Sequence, residues 1–383
     1  MSESGNAANA ELASASARVQ QAVQAAAVGL VEREVLVELI ALAAVAEEHV
    51  LVLGEPGTAK SEAVRRVART LGGRYFEYLL GRFTEPSELF GPIDLLKLQQ
   101  GKLETVTSGM LPEADVAFLD EVFLGSTAIL NTLLGVLNER TFRRGSVSVQ
   151  TPLRICVGAS NKLPEEPALA AFADRFLVRV FVAPVADSQL ESLLEAGISS
   201  ARVTPNGASL ADLDTLTRAR RAVDLGAVRP LIAQAVRQLR QSGVALSDRR
   251  VVRAQNLVAA AAVLSGRLVA SAKDLWPLVN AVPTELEQET ARELLRPLLA
   301  ESESALGAAA LEASASRAAR AARIAQAAEP LLAAAPEGEA RVAWQLRVEG
   351  LLREIDAGFP QNARPEPLPG LRERLRALLA PSG

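Results

Sequence analysis

The sequence predicts an α/β fold, a five-stranded parallel sheet with helices on both faces, followed by an all-helical region. Three observations carry that expectation. Val50–Ser61 reads VLVLGEPGTAKS, a short apolar strand, a turn bearing glycine and proline, and Lys-Ser opening a helix, which is the layout of a phosphate-binding loop. The run ADVAFLDE is almost continuously apolar and ends in Asp120 and Glu121, as expected of a strand buried on both faces that delivers carboxylates to a ligand-binding edge. Downstream of Pro184 the composition shifts to helix formers.

Bulk properties narrow the function classes. A chain of 383 residues has room for two or three domains. Its formal net charge of −4 supplies no global basic field for nucleic acid or an anionic membrane. One cysteine, Cys156, lies in the apolar run LRICVGAS; it excludes an internal disulfide framework and fits a reducing, cytoplasmic setting with a buried, inert thiol. With that cysteine and the lone His49, zinc clusters and Ser/His or Cys/His nucleophile systems are close to excluded, and His49 reads as structural. Charges interrupt the apolar stretches before bilayer length, and the amino terminus lacks a signal-peptide profile, so no membrane insertion is expected.

In chain order, residues 1–17 are small and polar and are expected to form a disordered tail. Arg18 to Glu48 predicts two helices split near Gly29. Val28, Gly29 and Leu30 lie where a P-loop ATPase holds the adenine ring, although packing explains them equally well. The loop itself comprises Gly54, Glu55, Pro56, Gly57, Thr58 and Ala59, in which the glycines let the backbone approach phosphates. Lys60 can reach the β and γ oxygens and the Ser61 hydroxyl can ligate Mg²⁺, so ATP and Mg²⁺ are the expected cofactors. Ala59 departs from the usual glycine, and it fits only if the backbone there is already helical.

Glu62–Leu71 continues the helix, Arg74–Tyr78 gives a second strand, and Thr84-Glu85-Pro86 signals a helix start. Asp94–Thr107 alternates around a Gln-Gly-Lys turn and predicts a β-hairpin. Asp120 can hold the Mg²⁺ shell and Glu121 can polarise an attacking water. After a helix at Ser126–Arg140, TFRRGSVSV predicts a second hairpin, whose Arg143 and Arg144 are either a solvated turn or a contact with substrate or a neighbour. Asn161 ends the strand LRICVGASN, where an amide either orients the lytic water or caps the strand. Arg175, just before the strand LVRVFV, is awkward to bury unpaired and so faces an interface or pairs with Asp174. Helical patterns follow at Leu210–Val223, Val228–Gln241, Asp248–Leu264 and Ala272–Val282, with Ser247 capping the third. Residues 285–383 are rich in Ala, Glu, Arg and Leu, with breaks at Pro330 and Pro336, and read as helices for self-assembly or partner docking.

The runs YFEYLLGRFTEPSELFGPIDLLKL, LPEADVAFLDEVF, AILNTLLGVLNERTFRRG, VGASNKLPEE and FADRFLVRVFV, in that order, resemble the MoxR family of AAA+ ATPases over roughly residues 25–280. Within the family they most resemble the RavA type, and the family commonly carries alanine at the position of Ala59. The resemblance implies an AAA+ P-loop NTPase core over residues 18–185, with a helix-2 insert at 94–107 and a pre-sensor hairpin at 141–153 facing the pore of a ring. It implies a helical lid over 205–284 and leaves 285–383 as an extension. By the same resemblance Asn161 is sensor 1 and Arg175 the arginine finger that reaches a neighbour's γ-phosphate. LSDRR at Leu246–Arg250 matches sensor 2, with Arg249 the first candidate for a γ-phosphate contact and Arg250 the second. The implied activity is Mg²⁺-dependent ATP hydrolysis in a homo-oligomeric ring, a hexamer, coupled to chaperone-like remodelling of a protein partner, often one with a von Willebrand factor type A domain. The β-rich insertion through which the RavA type engages its partner enzyme has no counterpart here, so that partnership does not transfer.

Two rival functions remain at this level. A P-loop phosphotransferase would share the loop but need an acceptor site and a lid without LSDRR. A nucleotide-gated scaffold with little turnover would have no need of Glu121. The acidic balance, with no basic stripe interleaved with aromatics, argues against a nucleic-acid motor.

Overall fold

The protein is described by a computed structural model covering residues 3–144, 147–186, 189–198, 208–299, 317–333, 336, 340–358 and 366–379. These fall into two compact units, Met1–Ala183 with Ala201–Ala310, and Pro184–Ser200 with Leu311–Gly383.

The first unit is built on strands β1 (Val50–Gly54), β2 (Tyr75–Leu79), β3 (Val116–Asp120), β6 (Ile155–Ser160) and β7 (Val178–Val182), all parallel. Between β3 and β6 the chain makes a separate antiparallel pair, β4 (Thr141–Arg144) with β5 (Val147–Gln150). The sheet order is β2-β3-β6-β1-β7. Leu53 pairs with Ser160 and Leu119 with Gly158, so β1, β3 and β6 end side by side at one edge. Alternation sorts the strand side chains between two helical layers. Leu51, Leu53, Ala117 and Leu119 join a buried cluster with Ile129, Leu133 and Phe172. On the opposite face, α2 (Glu34–Ala46) packs on β1, β6 and β7, and α3 (Lys60–Leu71) packs on β2 and β3.

The amino-terminal segment departs from expectation. Instead of a disordered tail, residues from Glu3 onward form one helix, α1 (Glu3–Ala27). Leu12, Ala15, Val19, Ala22, Val23 and Ala26 are buried on one helical stripe, and Ser16 Oγ donates to Leu264 O at 2.5 Å. The stripe is hard to see in sequence because most of its members are small.

The face opposite α2 and α3 is covered by α4 (Pro86–Phe90), α6 (Thr127–Glu139) and α7 (Pro167–Ala173), which contribute Leu89, Phe90, Leu130, Leu137 and Phe172 to the buried cluster. Between α4 and β3, the expected hairpin at 94–107 is instead a short helix, α5 (Leu95–Gln99), closed by a single bridge between Ile93 and Thr105. Asp94 accounts for the difference: its carboxylate accepts from Leu96 N at 3.0 Å and Lys97 N at 3.1 Å, capping a helical turn where alternation suggested a strand.

After β7 the chain enters the second unit with α8 (Leu190–Ile198), then returns to the first with α9 (Leu210–Arg220), α10 (Arg229–Gln241) and α11 (Asp248–Leu264). Tight 3-10 turns at Ala272–Asp274 and Trp276–Ala281 lead to α12 (Glu285–Leu294) and α13 (Arg296–Leu299). The expected lid boundary at 284 is therefore too early. Gln288 of α12 is buried and donates to Arg179 O at 3.2 Å and to Val282 O at 3.0 Å, fastening α12 to the sheet unit. The second unit adds α14 (Arg317–Ala333), α15 (Ala340–Gly358) and α16 (Leu368–Leu378). These three helices pack on one another around Ile324, Trp344, Val348, Leu351, Ile355 and Leu371, a core of their own.

Candidate nucleotide-binding site

Strand β1 carries the chain into the loop at the carboxyl edge of the sheet. A Cβ on Gly54 would meet Val182 O at 2.1 Å, so only glycine lets β1 run this close to β7. Gly57 has φ +81° and open space where a side chain would stand, leaving the loop backbone accessible. Ala59 corrects the sequence reading: its backbone is left-handed, φ 58° and ψ 24°, rather than helical. It immediately precedes α3, whose unpaired first N–H groups face the loop and favour an anion there. Thr58 Oγ1 donates to Glu55 O at 2.8 Å, tightening the turn.

The Lys60 ammonium donates to Gly54 O at 2.7 Å and Glu55 O at 2.9 Å, folded over the loop. Burial lowers its pKa; the nearby Asp120 and Glu121 carboxylates oppose that shift and Arg33 reinforces it. Ser61 occupies the second position of α3. Asp120 ends β3, and Glu121 follows in a left-handed conformation, φ 49° and ψ 46°, with its N–H donating to Asp120 Oδ1 at 3.0 Å. Burial raises the Glu121 pKa, Asp120's charge adds to the rise, and Lys60 opposes it. Asn161 directly follows β6, the strand between β3 and β1, and is exposed. Lys60, Ser61, Asp120, Glu121 and Asn161 thus share one edge of the sheet.

The segment between α1 and α2 lies beside this edge. Arg66 Nη1 of α3 donates to Val28 O at 2.6 Å, Gly29 has φ 73°, and Leu30 is buried. Three residues on is a side chain that sequence reasoning missed. Arg33 is 4% exposed and spends its guanidinium on three carbonyls: Thr58 O at 2.8 Å, Ala183 O at 2.8 Å and Glu32 O at 2.7 Å. It ties the loop to the end of β7. In VEREV it looks like one solvated charge among three, and only the helix break at Gly29 hints otherwise.

The remaining candidates lie at the opposite edge of the sheet. Arg175 precedes β7 by a few residues and is half-buried, with a buried Nε that has no hydrogen-bond partner among the described residues. Its expected pairing with Asp174 does not form; Asp174 Oδ1 instead accepts from Arg250 Nη1 at 2.9 Å. Arg250, the second sensor 2 candidate, is 2% exposed and also donates to Ala281 O at 2.8 Å and Leu177 O at 2.5 Å, so it is not free to meet a phosphate. Arg249 is exposed and reaches Asn138 Oδ1 at 3.1 Å, at the carboxyl end of α6. A strand of five residues separates these arginines from the loop, about 16 Å at ~3.3 Å per residue. Neither Arg175 nor Arg249 is brought to its own chain's Lys60. Arg143 pairs with Glu139 at 2.6 Å, and Arg144 Nη1 donates to Gly91 O at 3.0 Å, tying β4 to the segment that carries α5.

Comparison with known proteins agrees with this architecture. Residues 17–218 match the MoxR domain of the MoxR-vWA-beta-propeller ternary systems, more than half of the chain. The chain belongs to the MoxR family of AAA+ proteins. Residues 225–293 of this MoxR protein match an AAA lid domain, which includes α12. Two uncharacterised proteins of Methanocaldococcus jannaschii are 36% and 35% identical over 246 residues, 64% of this chain; the match spans 64% and 65% of their own lengths, just under two thirds. Chaperone MoxR1 of Mycobacterium tuberculosis is 27% identical over 175 residues, covering 44% of this chain and 46% of its own. A solved structure of a candidate ATPase from Cytophaga hutchinsonii superposes with a TM-score of 0.63, covering 78% of this chain and 98% of its own; at 16% identity it speaks for the fold alone.

Proposed function

We propose that this MoxR protein hydrolyses ATP with Mg²⁺ at the interface between two copies of itself in a ring, a hexamer, and uses the turnover to remodel a protein partner. The observation that carries this reading is the separation of its parts. Lys60, Ser61, Asp120, Glu121 and Asn161 stand at one edge of the sheet, while Arg175 and Arg249 stand at the other. One chain therefore offers half a site at each edge, and Arg175 and Arg249 can both serve the neighbour rather than their own nucleotide.

The residues fit the implied ligands. The open Gly57, the amino end of α3 and a lysine already folded over the loop suit a polyphosphate. Among the described residues no group of three or more His, Cys, Asp or Glu could hold a metal unaided. Mg²⁺ is usually held by one or two side-chain oxygens together with substrate phosphates, and Ser61 and Asp120 are our candidates for the protein's share. When bound, the ion would neutralise developing phosphate charge. Glu121, made more basic by burial and by Asp120, is suited to accept a proton from water, and Asn161 to orient that water. Gly29 and Leu30, in the segment tied to α3 through Arg66, are our candidates for contact with the base.

The partner reading rests on the family's description as one component of MoxR-vWA-beta-propeller systems. The exposed Leu95 and Leu96 of α5 and the 95%-exposed Phe83 offer apolar surface of the kind that binds protein. Placement in the RavA-like branch rests on residue resemblance alone. The single buried Cys156, whose thiol pKa burial pushes up to about 12, suits a cytoplasmic setting.

Phosphate release from ATP without added acceptor, measured across protein concentrations, tests the proposal. Turnover per chain should rise with concentration. Lys60→Ala should abolish nucleotide binding, and Glu121→Gln should bind ATP yet lose about 10²–10⁴-fold in turnover. Arg175→Ala should bind ATP and lose about 10³–10⁵-fold. Normal hydrolysis by Arg175→Ala would reject the shared site.

A further inference from the structure

The loop that presents Arg175 is gripped by arginines over five consecutive residues. Ala173 O accepts from Arg179 Nη2 at 2.5 Å, and Asp174 Oδ1 from Arg250 Nη1 at 2.9 Å. Arg175 O accepts from both Nη1 and Nη2 of Arg253 at 3.4 Å. Phe176 O accepts from Arg250 Nη1 at 3.4 Å, and Leu177 O from Arg250 Nη2 at 2.5 Å. Two of these three arginines, Arg250 and Arg253, stand on the first two turns of α11 in the helical lid. Arg253 also grips both carboxylate oxygens of Glu48, Nε at 3.2 Å from Oε1 and Nη2 in a shorter contact with Oε2. Asn256, three residues further along α11, donates to Glu48 Oε1 at 3.1 Å. Glu48 is 3% exposed and lies just before β1, the strand that ends in the phosphate loop.

The backbone of Arg175 is thus held by the lid helix, while its own Nε has no hydrogen-bond partner among the described residues. A planar guanidinium can bridge a carboxylate and a carbonyl at once, and an ammonium cannot reproduce that fork. We propose that Arg250 and Arg253 are positioning residues for Arg175, so that the orientation of α11 sets where Arg175 is presented to a neighbouring subunit. Rotation of the lid moves the first turns of α11, and with them the carbonyls of residues 175–177. Glu48 references the same arginine to β1, so one side chain registers the lid, the presented arginine and the strand of the phosphate loop against each other. This rests on Arg175 acting in trans as proposed above.

The test is a double-substitution cycle on the full-length chain with kcat, KM and the Kd of a fluorescent ATP analogue as readouts. Arg253→Gln should lower kcat at least ten-fold and leave nucleotide affinity within two-fold, and Arg253→Lys should rescue less than half of the loss. In the Arg175→Ala background, Arg253→Gln should change kcat by less than two-fold, because the group it positions is gone. Losses that multiply instead, or a normal kcat in Arg253→Gln beside an inactive Arg175→Ala, would overturn the positioning role alone. A normal kcat in Arg175→Ala would overturn the trans reading and this proposal with it. Misfolding is separated by mixing: Lys60→Ala subunits still present an intact Arg175, so they should restore turnover to Arg253→Gln subunits, and failure to do so counts against the proposal.

Discussion

Ala59 holds a left-handed backbone, φ 58°, at the step where the loop becomes α3. A Cβ in that conformation costs about 1 kcal/mol more than glycine, which adopts it without strain. Ala59→Gly should therefore raise the unfolding free energy by up to about 1 kcal/mol, read by chemical denaturation without nucleotide. A loss of stability of that size would mean that the alanine methyl makes compensating contacts. Glu121 carries the same kind of strain, φ 49°, beside the carboxylate it follows. At this scale the sequence was most legible where the candidates fall in contiguous motifs: spacing singles out Lys60, Ser61, Asp120 and Glu121, and the fold brings them to one edge of the sheet. Arg33 and Arg253 could not, because each sits in a charged string, VEREV or DRRVVR, that looks solvated until the chain is folded. Arg250, the second choice for sensor 2, was opaque for the same reason, since a residue type suited to phosphate is equally suited to four acceptors of its own chain.

His49 joins three elements at the amino edge of the sheet. Its Nδ1 accepts from Cys156 N at 3.0 Å at the head of β6, and its Nε2 lies 2.9 Å from Leu137 O near the end of α6, which assigns the proton to Nε2. The ring lies edge-on to Phe176, and Arg140 Nη1 stands 2.9 Å from Nε2. Burial, then the Arg140 and Arg253 charges, hold its pKa well below the usual histidine value. The unfolded chain thus binds a proton near pH 6.5 that the folded one refuses. Stability is full above that pH and falls as pH drops, by about 1.4 kcal/mol at pH 5.5 and further until the folded pKa is reached. Urea unfolding at pH 7.5 and 5.5 measures this, and His49 is the only histidine, so a flat profile would refute it. The parallel strands were readable because their apolar runs admit few alternatives. The segment at 94–107 was not, because a capping Asp94 and a short alternating stretch suit a helical turn as well as a hairpin. Nor was α1, whose alanine-rich stripe carries little contrast in hydropathy.

Two units with separate cores make up the molecule, and each contains one of the two tryptophans. Trp276 is buried in a 3-10 turn within the lid, in the unit with the phosphate loop. Trp344 is buried among Ile324, Val348 and Leu371 in the three-helix unit, its Nε1 donating to Leu331 O at 3.2 Å. A ligand that binds only the folded first unit stabilises it by RT ln(1 + [L]/Kd), about 2.7 kcal/mol at a hundredfold excess over Kd. Tryptophan fluorescence of Trp344→Phe should therefore report a denaturation midpoint that moves upward with Mg-ATP. That of Trp276→Phe should report a second midpoint that does not move. The smaller unit, with the smaller core, should melt first. If both variants gave one coincident transition, shifted equally by nucleotide, the two units would unfold as one cooperative body, and binding at Lys60 would be felt directly by the carboxyl-terminal helices.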